Sequence, residues 1–188
     1  MPLILAFAHK RRAGKDTAVK FAMAHLAFTR PALIVKRVSF ADKLKNVAHQ
    51  LYGWAGLREG GYYEDHPEAK ETALPALLDL GAISPRDIYI HVGQAMRSIC
   101  AETWIKSAFT GLQHADVILV SDCRFPNEAE HILELSGKVF NIVRPDAPPL
   151  DDPSETALDG YDFTENLLNG GSLKQFNELV IKTVEKYL

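Results

Sequence analysis

The chain has 188 residues, 47% of them hydrophobic and 24% charged, with a formal net charge of −3 at pH 7. Such a length and balance predict one soluble globular domain with a sizeable core, and exclude the charge excess of a nucleic-acid or membrane-surface binder. Two cysteines, Cys100 and Cys123, lack metal-type spacing and exclude a disulfide scaffold, which points to a reducing compartment. No apolar stretch nears the roughly 20 residues of a membrane span. The run Pro2–Ala8 is too short for a signal peptide, and arginines follow it rather than precede it. The expected location is the cytoplasm.

In chain order, Pro2–Ala8 (PLILAFA) is an uncharged apolar run of strand length. Val19, Ala22, Met23 and Leu26 then recur at helical spacing. Between them lies HKRRAGKDT, residues 9–17. A buried strand, a tight loop carrying Gly14-Lys15 and a helix are the context a phosphate-binding loop requires. Helix N-terminal N–H groups lack partners within the helix, and the dipole there favours anions. Lys15 adds a full positive charge, and Thr17 offers a hydroxyl to Mg²⁺. Arg11, Arg12 and Lys15 crowd a helix start, where the dipole disfavours cations, and a bound polyphosphate accounts for that crowding. The pattern departs from G-x-x-x-x-G-K-[ST] at His9, in the first Gly position, and at Asp16, between Lys15 and Thr17.

Ala32–Phe40 reads as a second strand, and Ser39 and Asp42 flank the start of a helix over Ala41–Tyr52. Lys43 and Lys45 sit near its beginning. Lys43 reads equally as a solvated lysine, whereas Lys45 reads as a contact to an acceptor phosphate. Residues 53–66 mix glycines, aromatics and charges without periodicity and read as a loop. Helical segments follow, with Pro67 and Pro75 each at a first helical position. The block 53–83 is thus either a flap inserted over the acceptor or a peripheral helical hairpin.

Ser84-Pro85-Arg86-Asp87 starts a helix that carries Gly93, Gln94 and Arg97 and continues or restarts through Trp104 to about Leu112. Arg97, among small and apolar neighbours, requires an ion pair or a ligand phosphate. Trp104 reads as a core residue. Asp116–Asp122 (DVILVSD) reads as a central parallel strand with a carboxylate at its C-terminal edge. On a phosphate-loop sheet that edge faces the metal–nucleotide site, so Asp122 is a candidate metal ligand through water. Arg124 projects over the same edge. Pro126-Asn127-Glu128 opens a helix ending at Ser136-Gly137, and Lys138–Val143 is another strand. Residues 145–160, rich in Pro and acids, form an ordered loop or a lid. Asp162–Leu168 is a short strand, Asn169-Gly170-Gly171-Ser172 a turn, and Ser172 caps the last helix. Strands alternating with helices predict an α/β fold, with a parallel sheet of about five strands and helices on both faces. Pro2–Ala8 and Asp116–Asp122 are expected at its centre.

Four stretches together resemble the phage-type deoxynucleoside monophosphate kinases: HKRRAGKDT at 9–17, SFADKLK at 39–45, VGQAMRSICAETW at 92–104 and SDCRFPNEAEHI at 121–132. The tail at 151–173 is also similar in type and order at Ser154-Glu155 and Asn169-Gly170-Gly171-Ser172, so the resemblance spans nearly the whole chain. It implies a single P-loop kinase domain over 1–188 that moves the γ-phosphoryl of ATP onto a deoxynucleoside 5′-monophosphate. Arg11, Arg12, Ala13, Gly14, Lys15, Asp16 and Thr17 would hold ATP and its Mg²⁺, with Asp122 as the second metal residue. Lys45, Arg97 and Arg124 would face the acceptor phosphate, and Lys15, Arg97 and Arg124 would carry catalysis. The implied setting is the cytoplasm of a bacterial or phage-infected cell, without nucleic-acid or membrane partners; a homodimer stays open. His9 and Asp152 (where a His commonly precedes the Ser-Glu pair) depart from the family pattern, as does the long flap.

The chemistry agrees with the residues. Phosphoryl transfer needs positioning and charge neutralisation rather than a covalent nucleophile, and the acceptor oxygen is already ionised. Two alternatives stay open. Animal-type phosphomevalonate kinases share the basic GKD loop, the S-D-x-R segment and an acidic tail motif, so the acceptor need not be a nucleotide. A non-enzymatic ATP sensor would use the same phosphate loop.

Overall fold

A computed structural model describes residues 1–8, 10–145 and 156–188. His9 and most of the 145–160 segment, including Asp152, Ser154 and Glu155, lie outside the described residues. The chain divides into two compact units, residues 1–39 with 109–188 and residues 40–108.

The first unit is built on a five-stranded sheet in the order β2-β3-β1-β4-β5, with β1 at Leu3–Ala8, β2 at Val35–Val38, β3 at Val117–Cys123, β4 at Lys138–Val143 and β5 at Glu165–Leu168. Every neighbouring pair is parallel. The α/β architecture expected from the sequence is therefore observed, with β1 in the middle and β3 beside it. Both are apolar enough to be covered on two faces. Side chains alternate across a strand, so Leu5 and Phe7 face one side and Ile4 the other. On the first side Leu5, Phe7, Leu119, Phe140 and Ile142 form one core with two helices, α1 at Lys15–Thr29 and α7 at Leu173–Tyr187. Ala18, Val19, Ala22 and Leu26 of α1 and Phe176, Val180 and Val184 of α7 supply its other half. Each large aliphatic buried there contributes about 1.5–3 kcal/mol. On the opposite side, α6 (Pro126–Glu134) brings Ile132 against Ile4 where Gly137 leads the chain back into β4.

The second unit contains α2 (Phe40–Tyr52), α3 (Tyr62–Asp65), α4 (Pro85–Ile99) and α5 (Thr103–Phe109), joined by 3₁₀ turns at Gly53–Ala55, Pro67–Lys70 and Pro75–Leu80. Residues 53–66 are thus more ordered than the loop expected of them. Ala55, Leu57 and Tyr63 are buried, and the Tyr63 hydroxyl accepts the Arg58 N–H at 3.0 Å. Pro67 and Pro75 open their turns as predicted. The helix start at Ser84 is a full capping box: Ser84 Oγ accepts the Asp87 N–H, and the Asp87 carboxylate accepts the Ser84 N–H. Of the two expected courses the helix restarts rather than continues: it ends at Ile99 and a second one runs Thr103–Phe109, through Trp104 and short of Leu112. Trp104 is buried and donates its indole N–H to the Gly93 carbonyl at 3.3 Å. At Gly93 a Cβ would meet Leu44 Cδ1 at 2.8 Å, so α2 and α4 approach this closely only over a glycine.

Candidate active site

The loop between β1 and α1 is shaped by two left-handed residues, Arg12 at φ +62° and Gly14 at φ +113°. A non-glycine residue held there costs roughly 1–2 kcal/mol, which the surrounding bonds must offset. The first turn of α1 closes on Gly14, whose carbonyl accepts the Ala18 N–H at 2.9 Å. The N–H groups ahead of Ala18 have no partner inside the helix, which makes this end a ready anion site.

A lysine poised to meet phosphate would face solvent with no ligand bound, but Lys15 does not. It is only 5% exposed, and its ammonium donates to the Lys10 carbonyl at 2.5 Å. The reason lies at the ends of the strands. Residue 123 follows Asp122 on β3 and pairs with Ala8 of β1. Burial, Glu128 and Asp122 push the Cys123 thiol up, while Lys15 acts in the opposite direction. Asp122 and Cys123 thus lie at the carboxyl end of β3, beside the end of β1 that leads into the Lys15 loop. The Lys10 carbonyl accepts a hydrogen bond from the buried ammonium, which makes its burial tolerable.

Asp122 accepts the Ser39 hydroxyl at 2.8 Å on Oδ2. Ser39, read from the sequence as a helix cap, thus orients the carboxylate. Arg124 leaves the same strand end with its backbone fixed: Glu128 Oε2 accepts the Arg124 N–H at 2.8 Å and the Phe125 N–H at 3.2 Å. Asp16 is exposed and lies 3.9 Å from Arg37. Arg11 is half-buried, Arg12 exposed and Ala13 buried. Thr17 lines a cleft of about 260 Å³ together with Gly14, Arg144, Asn169, Gly170 and Phe176. In the second unit Lys45 pairs with Asp42 at 4.0 Å and Glu64 at 3.8 Å, and Arg97 is half-buried on α4.

The structure thus brings together Ala13, Gly14, Lys15, Thr17 and Asp122 at one sheet edge. Sequence reasoning missed Asn169, Arg144 and Phe176 on the cleft and Glu128 behind Arg124. Glu128 carried a signal, an acid in the first turn after Pro126. Thr17 and Asp122 are hard oxygen donors, the kind that suits Mg²⁺ shared with phosphate oxygens and water. Among the described residues no three His, Cys, Asp or Glu side chains gather into a metal-binding group. Nor is any helix among them long and apolar enough to cross a membrane.

A five-stranded parallel sheet with a strand–loop–helix connection at its carboxyl edge and helices on both faces defines an α/β protein. No family model matches the chain. A curated protein of Acanthamoeba polyphaga mimivirus, described as "Putative deoxynucleotide monophosphate kinase", is 28% identical over 185 residues, covering 92% of this chain and 91% of that protein. The resemblance seen in the sequence therefore has a relative of the same description along nearly its whole length. Among solved structures, TT1252 from Thermus thermophilus aligns over 100% of this chain and 98% of its own at 14% identity and a TM-score of 0.49. Dephospho-CoA kinase from Campylobacter jejuni aligns over 98% and 96% at 14% identity and a TM-score of 0.46.

Proposed function

We propose that the chain is an ATP-dependent kinase that transfers the γ-phosphoryl group to a deoxynucleoside 5′-monophosphate. The observation that carries this reading is the loop from β1 into α1, with Gly14 capping α1 and Lys15 and Thr17 in its first turn, at the carboxyl edge where β1 pairs with β3 and Asp122 lies near the end of β3. The nature of the acceptor rests on the resemblance and on the mimivirus relative.

The donor's phosphates lie on the N–H groups at the head of α1. Lys15 exchanges the Lys10 carbonyl for phosphate oxygen and neutralises charge between the β- and γ-groups. Thr17 and Asp122 would hold Mg²⁺, whose charge would draw electron density from the phosphate oxygens. The base and sugar occupy the cleft beside Gly14 and Thr17, where Phe176 offers an apolar wall and Gly170 and Gly171 offer backbone. Arg124 presents a planar, permanently charged fork to the acceptor phosphate. Lys45 and Arg97 of the second unit are assigned to that phosphate by the resemblance. The attacking oxygen is ionised, so no general base is required.

The test is a single-turnover reaction with ATP radiolabelled at the γ-position and a mixture of the four deoxynucleoside monophosphates. Label recovered in a deoxynucleoside diphosphate is the expected result. Label that stays on ATP, or appears only as inorganic phosphate, overturns the reading.

A further inference from the structure

The turn Asn169-Gly170-Gly171-Ser172 stands out in the sequence, and only its two glycines enter the chemistry above. Its first residue reaches across 156 positions of the chain to the phosphate loop, where Asn169 Nδ2 donates to the Ala13 carbonyl at 2.8 Å. The main chain of Asn169 is itself fixed, because its N–H donates to Val143 at the end of β4 at 2.8 Å. The approach is tight. A Cβ on Gly14 would lie 2.7 Å from that Nδ2, so a glycine at 14 is needed for Asn169 as well as for its positive φ.

We propose that Asn169 is a positioning residue for the phosphate loop, one that sets the loop's anion-binding conformation from the sheet side. This rests on the reading of residues 10–17 as the site of the donor's phosphates. A peptide unit whose carbonyl is held on one side presents its neighbouring N–H groups to the other. Three loop carbonyls are held in this way by side chains: Lys10 by Lys15 at 2.5 Å, Arg12 by Arg144 at 3.3 Å and Ala13 by Asn169 at 2.8 Å. Lys15 releases its carbonyl when it turns to phosphate, and Arg144 is exposed. Asn169 is half-buried, anchored through its own backbone, and touches the peptide immediately before Gly14. It therefore bears most of the offset to the left-handed turn at Arg12 and Gly14. The contact needs a donor, which the Asn amide nitrogen supplies and a carboxylate cannot, since a carbonyl only accepts a hydrogen bond.

Asn169 also lines the cleft assigned to the base, so the test must separate a direct contact from an action through the loop. Inorganic tripolyphosphate, which has no base, makes that separation. Binding of ATP and of tripolyphosphate, both with Mg²⁺, is measured calorimetrically for the wild-type chain, Asn169→Ala and Asn169→Asp, with a melting curve for each. A wild-type chain that binds neither overturns the phosphate-loop reading itself. Given wild-type binding, the proposal expects Asn169→Ala to weaken ATP and tripolyphosphate equally, by about fivefold or more. Asn169→Asp, near-isosteric but acceptor-only, is expected to weaken both further, and the KM of the acceptor stays unchanged in either variant. Loss of ATP binding with tripolyphosphate untouched would make Asn169 a base contact and overturn the proposal. Unchanged binding of both would overturn it too, as would failure of both variants to fold, which would leave Asn169 a structural residue.

Discussion

The Ser39 hydroxyl donates to the Asp122 carboxylate at 2.8 Å, tying the end of β2 to the end of β3 at the edge where the metal is assigned. Ser39 is nearly buried, so its hydroxyl has few competing partners. Ser39→Ala should leave the sheet intact and free one Asp122 oxygen to rotate. The Mg²⁺ concentration for half-maximal rate is expected to rise several-fold, in line with a hydrogen bond to a charged group of about 1.5–3 kcal/mol. A magnesium titration of the rate at saturating ATP checks this; an unchanged titration would detach Asp122 from the metal.

Lys15 carries the second prediction. Because its stem is buried, Lys15→Ala would combine loss of charge with loss of packing. Lys15→Met keeps the stem and removes the ammonium that donates to the Lys10 carbonyl. Turnover should fall by roughly 10²-fold or more, the scale for losing a preorganised charge, with the melting temperature within a few degrees of wild type. Near-wild-type turnover in Lys15→Met would remove the loop from the mechanism.

For Arg124 the backbone and the guanidinium separate cleanly. Glu128 holds the Arg124 and Phe125 N–H groups, so Glu128→Ala leaves two donors unmatched and should cost about 1–3 kcal/mol of stability. Arg124→Lys leaves that cap untouched. It should raise the acceptor KM while the ATP KM changes little, because an ammonium cannot reproduce the guanidinium fork. Kinetics with each substrate varied in turn decide it. An unchanged acceptor KM with a lowered Tm would make Arg124 structural.

The capping box of α4 gives a pH dependence with a definite sign. Bonds from the Ser84 side chain and backbone hold the Asp87 carboxyl below its ordinary value. A depressed folded value means that the stabilisation is present above the unfolded pKa of about 3.9 and is lost as pH falls through the lower folded value. Ser84→Ala should therefore destabilise by about 1 kcal/mol near neutrality and by progressively less in acid below about pH 4. Denaturant melts of both proteins from pH 7 down to the acid limit of folding check the convergence. A constant difference across that range would contradict it.

How much of this was legible in the sequence depended on which physical signal each residue carried. The runs 2–8 and 117–120 are apolar without interruption, so their places inside the sheet followed from composition alone. Strand β2 was legible in kind but runs only Val35–Val38, because an edge strand with Lys36 and Arg37 exposed has fewer ladder bonds to extend it. Residues 53–66 read only as a loop, since a 3₁₀ turn and a four-residue helix carry too little of the 3.6-residue period, whereas Pro67 and Pro75 marked the turns they open. The glycine and lysine of the phosphate loop stood out by type, but the burial of Lys15 did not, because a lone lysine reads as exposed until the carbonyl that accepts from it is known. Asn169 was visible only as a turn residue. Its partner lies 156 residues away and no local pattern encodes that pairing.

The central claim is best tested by one coupled assay of ADP formation with Mg²⁺–ATP and, separately, each of the four deoxynucleoside monophosphates and phosphomevalonate. The account predicts ADP formation that requires a deoxynucleoside monophosphate and disappears in Lys15→Met. ADP formed with phosphomevalonate alone would contradict the nucleotide acceptor, and ATP binding without ADP from any acceptor would contradict an enzyme altogether.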